Sequence, residues 1–444
     1  MSINGILNAF MRALREPRSF LFAVLLALTA GLAACGGGGG SSSSGGSGGG
    51  SNGSGGGTAS LPAGPQQQPI AATAANTVAV TVASNGLNAS LPNIPTVSVV
   101  VCAQNTTNCV TVNNVQVDTA SFGLRVLASA LGNLNALPNE SGGVNQLAEC
   151  TAFADGYTWG SVRIADVKVG GETASAIPIQ VIGDPATPTA PPACSNIGPS
   201  QNSTKALGAN GILGIGVAPW DCGTNCVTGA ETNMYYACPN GGNCSSTTVA
   251  LASQVANPVA HFQVDNNGVI LQMSPISNNG QASATGTLVF GIGTQSNNAM
   301  PSSATPGFQR FVTDPGGNMT ATYKGHALSR AFLDSGSNGL FFADSSITPQ
   351  CLGAFYCPAN PLTLGATLTD VKGASGSVSF NVVSASALLN GTGNFAANDL
   401  AGQFGSATDF DLGLPFFYGR YVYYVYNSQN QPSYDGTQTP FVAF

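Results

Sequence analysis

Val117-Asp118-Thr119-Ala120-Ser121 and Leu333-Asp334-Ser335-Gly336-Ser337 decide how this chain is read. Each stretch sets one carboxylate after an apolar run and follows it with a hydroxyl, a small residue and a second hydroxyl. One lies in each half of the 444 residues. Two carboxylates held side by side resist ionising together, so they share a proton. One then acts as base and the other as acid toward a single water. Asp118 and Asp334 are the candidate catalytic pair for such hydrolysis, which requires neither a metal nor a cofactor.

The surroundings of the two stretches read as β structure. Val97–Val101, Val110–Val117, Gly160–Val169, Ile177–Ile182, Ala260–Val264, Val269–Gln272, Gly286–Phe290, Ala331–Leu333, Ser377–Val383 and Tyr418–Tyr426 are the expected strands. They are rich in β-branched or aromatic residues and bounded by Gly, Asn, Asp or Pro. Helical sequence is sparse, with Phe122–Leu134 and Ser384–Leu389 as the best short candidates. Each half also carries an apolar-Gly step after its Asp loop: Ile212-Leu213-Gly214 in the first, and Leu412-Gly413, preceded by Asp411, in the second.

At the N-terminus, Arg12, Arg15 and Arg18 precede the apolar stretch Phe20–Leu32, and Leu32-Ala33-Ala34-Cys35 has the order of a bacterial lipoprotein cleavage box. Residues 1–34 are read as a lipoprotein signal peptide, with Cys35 as the lipidation site. Residues 35–75 are read as a lipid-anchored linker, because positions 36–57 are almost all Gly and Ser and cannot bury apolar surface. Gly36 after the cysteine favours the outer membrane of a Gram-negative bacterium, with the periplasmic or surface face left open. The body divides into an N-terminal lobe, 76–250, and a C-terminal lobe, 251–444.

Composition narrows the function classes. Only 7% of residues are charged and the net charge is −7, with no basic cluster in the mature chain, so nucleic acid is not an expected partner. Eleven cysteines less Cys35 leave ten, several of them in close pairs (102/109, 222/226, 238/244, 351/357). Five disulfides in an oxidising compartment is the economical reading, although spacing does not fix connectivity. Zinc is the rival for the 222–244 cluster, but Cys-x3-Cys and Cys-x5-Cys suit it poorly. Two histidines, His261 and His326, are too few for a His-rich metal site, and no Gly-x-Ser-x-Gly elbow precedes a convincing helix.

From about residue 95 onward the chain resembles the pepsin-like aspartic peptidases. In that family each lobe has an Asp-Thr-Gly loop and a later apolar-apolar-Gly strand threading beside it. Here Gly211-Ile212-Leu213-Gly214-Ile215-Gly216 is similar to the first such strand, and Phe153-Ala154-Asp155-Gly156-Tyr157-Thr158-Trp159-Gly160 resembles the flap hairpin. Asp166-Val167-Lys168-Val169-Gly170-Gly171 resembles the strand after the flap, and Gly286-Thr287-Leu288-Val289-Phe290-Gly291 a strand of the second lobe. The resemblance implies a mainly β, bilobal fold of two barrel-like lobes with a cleft between them.

The resemblance also implies roles. Asp118 and Asp334 would activate water, Ser121 and Ser337 would orient them, and Thr119, Ser335 and Gly336 would brace the loops. Phe153, Asp155, Gly156, Tyr157 and Trp159 would form the flap over an extended polypeptide. The implied protein is a monomeric aspartic-type endopeptidase. The alternative is an inactive binding or inhibitor protein of the same fold, taking a protein ligand in its cleft, at the cell surface or in the periplasm. Ala120 replaces the family's loop glycine and Phe153 its flap tyrosine, and both departures point toward that alternative. Gly339 in the second loop is a further departure.

Overall fold

The computed structural model describes residues 61–444, apart from 88–90, 133, 135–136, 142–145, 185, 230–232, 240–242, 404 and 427–438. The signal peptide, Cys35 and the Gly/Ser tract through residue 60 therefore lie outside the described residues. Among the described residues no helix is long and apolar enough to cross a membrane.

Among the described residues there are two sheets, one of 15 strands and one of nine. The first sheet runs through both halves. Its strand Thr77–Val82 pairs antiparallel along its whole length with Ala284–Phe290, from Thr77 opposite Val289 to Val82 opposite Ala284. It also touches Thr96–Cys102 of the first half through Thr81 and Thr96. The second sheet is built from the second half alone, with His326–Asp334 and Asp409–Gly413 near its middle. Val/Thr-rich strands suit this framework because β-branched side chains pack well on pleated surfaces. One contiguous apolar core, including Val115, Val117, Leu213, Leu333, Leu412 and Tyr424, lies beneath both Asp-bearing loops. The fold class is mainly β and bilobal.

Three expectations need correction. Phe122–Leu134 is not a helix. Phe122–Leu127 is a strand, antiparallel to Gly211–Ile215 and parallel to part of Glu172–Ile182, and a single 3₁₀ turn, Ala128–Ala130, follows it. Strands on both sides claim its backbone bonds, which outweighs local propensity. Ala260–Val264 is not a strand either. Pro258 begins a 3₁₀ turn, Pro258–His261, capped by the Asn257 side chain, which accepts from Val259 N at 3.1 Å. Residues 61–75, expected as linker, are docked on the body in part. Gln67 N donates to Gly419 O at 2.9 Å, and Ile70 N to Gln272 Oε1 at 2.9 Å. Gln and Ile in this stretch supply the amide and apolar contacts that the Gly/Ser tract lacks.

All five disulfides are formed: Cys102–Cys109, Cys150–Cys194, Cys222–Cys226, Cys238–Cys244 and Cys351–Cys357.

Candidate active site

Each Asp ends a strand that lies parallel to an apolar-Gly strand. Val117 and Asp118 stand opposite Leu213 and Gly214, and Leu333 and Asp334 stand opposite Leu412 and Gly413. The two halves thus place their carboxylates in equivalent registers. The glycines are needed for space. A Cβ on Gly214 would lie 2.8 Å from Phe122 backbone atoms, and one on Gly413 2.0 Å from Gly339 O.

The loops cross-bond. Ser335 N donates to Thr119 Oγ1 at 2.9 Å, Thr119 Oγ1 to Leu333 O at 3.3 Å, and Ser335 Oγ to Val117 O at 2.8 Å. Ser335 is fully buried and Thr119 nearly so. Buried hydroxyls in such a network hold one geometry, because a broken bond leaves a donor or acceptor without water. Gln116 Nε2 adds a bond to Gly336 O at 2.8 Å, and Tyr424 OH another to Leu333 O at 3.1 Å.

Each carboxylate is oriented by its own loop. Asp118 Oδ1 accepts from Ala120 N at 2.9 Å and Ser121 N at 3.2 Å, while Oδ2 accepts from Ser121 Oγ at 2.6 Å. Asp334 Oδ1 accepts from Gly336 N at 2.7 Å, and Oδ2 from Ser337 Oγ at 2.7 Å. A Cβ on Gly336 would lie 2.7 Å from Asp118 Cγ and 3.0 Å from Asp334 Oδ1, so the second loop's glycine is wedged between both carboxyls. Ala120 is not among the residues with positive φ, so its methyl brings no backbone strain and its N–H still serves Asp118.

Burial, and next the Asp118 charge, push the Asp334 carboxyl up to about 8. Asp334 therefore keeps its proton through neutral pH, the condition for a shared-proton pair. Among the described residues no group of three or more His, Cys, Asp or Glu side chains is placed to hold a metal ion.

The flap residues form the expected hairpin, Leu147–Phe153 against Gly156–Val169, with Phe153 opposite Gly156. Asp155 is exposed in the turn at its tip, and Phe153, half-buried, flanks that turn. Tyr157 and Trp159 turn elsewhere, into an apolar cluster with Tyr236 and the Cys150–Cys194 bridge. Trp159 Nε1 donates to Pro188 O at 2.7 Å, and its ring meets Tyr236 edge-on. The structure thus brings the Asp loops together and places Tyr157 and Trp159 in a separate core. A cavity of about 560 Å³ lies away from the Asp pair, between residues 62–67 and a wall that includes Phe308, Phe380, Asp399, Phe416 and Arg420.

Sequence reading missed Gln116 and Tyr424, and it treated Asp411 only as part of the apolar-Gly step. It also missed Arg125. That guanidinium is 1% exposed and bonds Glu149 Oε1 at 2.5 Å, Asp221 Oδ2 at 2.9 Å and Thr151 Oγ1 at 2.9 Å. It ties the strand after the first Asp loop to the strand leading into the hairpin. A charge inside the apolar run Phe122–Leu127 was the available signal.

The buried acids fix a stability profile. Burial raises Asp334 to about 8 and Asp399 to about 7, and holds Asp221 and Asp411 well above the usual carboxylate range. Burial works against Asp344 too, but hydrogen bonds from Lys324, Ser346 and Tyr323 bring it down to about 2. Raised acids bind more protons folded than unfolded, so stability falls as pH rises above about 4, through about 7 for Asp399 and about 8 for Asp334. The lowered acid acts in the opposite window and removes stability as pH falls from about 4 toward 2. Thermal unfolding from pH 3 to 9 is expected to show the highest Tm near pH 4 and a steady decline to pH 8. A Tm that is flat or rising between pH 5 and 8 would refute this account.

The site is thus framed by two β sheets and by Asp loops from the two halves that bond across to each other. Residues 72–444 match the model of the family described as "Protein of unknown function (DUF3443)", and the chain belongs to that family. Among solved structures the chain is similar to the aspartic proteinase from Irpex lacteus, with a TM-score of 0.45 and 18% identity. The match covers 83% of this chain and 97% of that one. A comparison with curated proteins finds no match.

Proposed function

We propose that this protein is an aspartic-type endopeptidase acting on extended polypeptides. The observation that carries the reading is the pair itself: two carboxyls flanking Gly336, each fixed by a serine hydroxyl and backbone N–H, with burial and the neighbouring charge raising Asp334. A water between them would lose a proton to Asp118 as its oxygen attacks the peptide carbonyl carbon. Asp334 would give its proton to the carbonyl oxygen. The resulting diol collapses when the amide nitrogen takes up a proton and the C–N bond breaks. The proposal includes export and tethering through Cys35, for which the support is the sequence of the leader.

A second reading, binding without cleavage, is favoured by one feature. The hairpin is tied down by the Cys150–Cys194 bridge and by the bonds Tyr157 N to Pro199 O and Gln201 N to Tyr157 O, at 3.0 and 2.8 Å. A hairpin so held opens less readily for turnover. Purified protein in detergent, incubated with a degenerate peptide pool from pH 3 to 8, separates the two. Cleavage blocked by a statine-type mimic of the tetrahedral intermediate supports the peptidase. Retention of peptides with no cleavage at any pH supports the binding protein.

A further inference from the structure

The cavity of about 560 Å³ beside residues 62–67 draws its other walls from distant parts of the chain. Phe380 comes from the Ser375–Val382 strand, Phe416 from the 3₁₀ turn Leu414–Phe417, and Arg420 from the position just before the Tyr421–Val425 strand. Phe308 adds a third ring. Aromatic walls of this kind suit an apolar body.

The polar groups set into these walls lack partners. Asp399 is 3% exposed, and its Oδ2 is buried without a hydrogen bond. Asn398 Oδ1 and Gln309 Oε1, on residues that line the same cavity, are buried and unpaired as well. Arg420 stacks 4.0 Å over the Phe416 ring and gives an N–H to Phe416 O. Arg125, Arg163 and Arg330 each hold a carboxylate, whereas Arg420 enters no ion pair among the described residues. Buried polar groups are ordinarily bonded, because an unpaired one costs about 1–3 kcal/mol. Three orphaned acceptors and one unpaired cation around one cavity describe their complement: an anion for Arg420, an N–H donor for the oxygens and an apolar body for the rings.

We propose that this cavity binds a carboxylate that carries an apolar side chain and an amide N–H, the chemistry shared by an N-acylated amino acid and the last residue of a peptide. The carboxylate pairs with Arg420, and the N–H serves one of the orphaned oxygens.

The charge of the cavity follows from few groups. Arg420, Asp399 and Tyr418 are the titratable side chains that line it; residues 62–67, residues 305–309 and the Ser375–Val382 strand supply none. Tyr418 stays neutral, since burial holds it well above its ordinary value and its OH donates to Asn93 Oδ1 at 2.8 Å. Burial pushes the Asp399 carboxyl up to about 7. Below that pH the cavity carries the charge of Arg420 alone, and above it ionised Asp399 repels an anion.

Calorimetric titration of the full chain in detergent with N-acetyl-L-phenylalanine and with its amide tests this. At pH 5.5 the acid should bind at least about tenfold tighter than the amide, and Arg420→Gln should erase that preference. From pH 5.5 to 8.5 affinity for the acid should fall about three- to tenfold, and Asp399→Asn should abolish the fall. Ser379→Trp, at an exposed position of the wall, should block the acid while unfolding stays cooperative. The double variant Asp118→Asn, Asp334→Asn should bind the acid as wild type does, which separates this cavity from the Asp pair. The peptide Ala-Ala-Ala-Phe, as acid and as amide, distinguishes the sources: affinity retained by its acid assigns the site to peptide ends, and affinity lost assigns it to the free small acid. Equal binding of N-acetyl-L-phenylalanine and its amide overturns the proposal. So does an acid preference that survives Arg420→Gln, or an acid Kd weaker than about 10 mM at pH 5.5.

Discussion

Changing either Asp118 or Asp334 to asparagine is expected to lower peptide cleavage at least about a thousandfold without unfolding the protein, in line with the scale of general acid–base catalysis. Asparagine has the same shape and still accepts from Ala120 N or Gly336 N, so the loop geometry survives. What goes is the proton exchange, since an amide neither takes a proton from water nor gives one to a carbonyl near neutral pH. The two single variants and the double variant should be about equally impaired, because the carboxyls act as one unit. Steady-state cleavage together with thermal unfolding checks this. A variant keeping more than about a tenth of wild-type activity would remove Asp118 and Asp334 from the chemistry.

The second large effect is on stability. Arg125→Met should destabilise the protein by about 3–5 kcal/mol, since breaking a buried ion network leaves uncompensated charge. Glu149 and Asp221 are both buried against Arg125, at 0% and 2% side-chain exposure. Methionine keeps an unbranched apolar stem but returns none of the bonds to Glu149, Asp221, Thr151 or Phe122 O. Burial and the Glu149 charge already hold the Asp221 carboxyl well above its usual range. Protonation at acid pH should therefore relieve much of the defect. Denaturant unfolding at pH 8 and pH 4 should show the larger loss at pH 8, and an equal loss at both would mean that packing, not charge, is what Arg125 contributes.

How much of this was legible in the sequence depended on distance along the chain. The Asp loops were readable because each is a local pattern, with the serine that holds the carboxyl three residues after it. Strands with one polar face were readable for the same reason. Phe122–Leu127 was misread because five of its six residues are buried, so it lacks the alternation that separates strand from helix. The Pro258–His261 turn carried its own signal in Asn257-Pro258, but Val259, Phe262 and Val264 suggested a strand. Gln116 bonds Gly336 across 220 positions, and no local pattern encodes such a partner. Arg125 was detectable only as an isolated charge in an apolar run, and its partners became visible once the strands were in register.

The strand Thr77–Val82 has a consequence for how the molecule comes into being. Its neighbour Asn76 bonds Phe290 O at a separation of 214 residues, and the strand's full-length partner is Ala284–Phe290. A chain emerging N-terminus first therefore presents this edge long before its mate exists. Closure of distant strands is slow, and exposed apolar edges invite wrong pairings in the interval. The order of emergence makes the first half a waiting intermediate. Its short-range bridges, Cys102–Cys109 and Cys222–Cys226, can close during the wait, whereas the crossed Asp loops can assemble only after the second half has arrived. The paired Asp loops are thus the last feature the folding chain acquires, and a truncated product would be left without them.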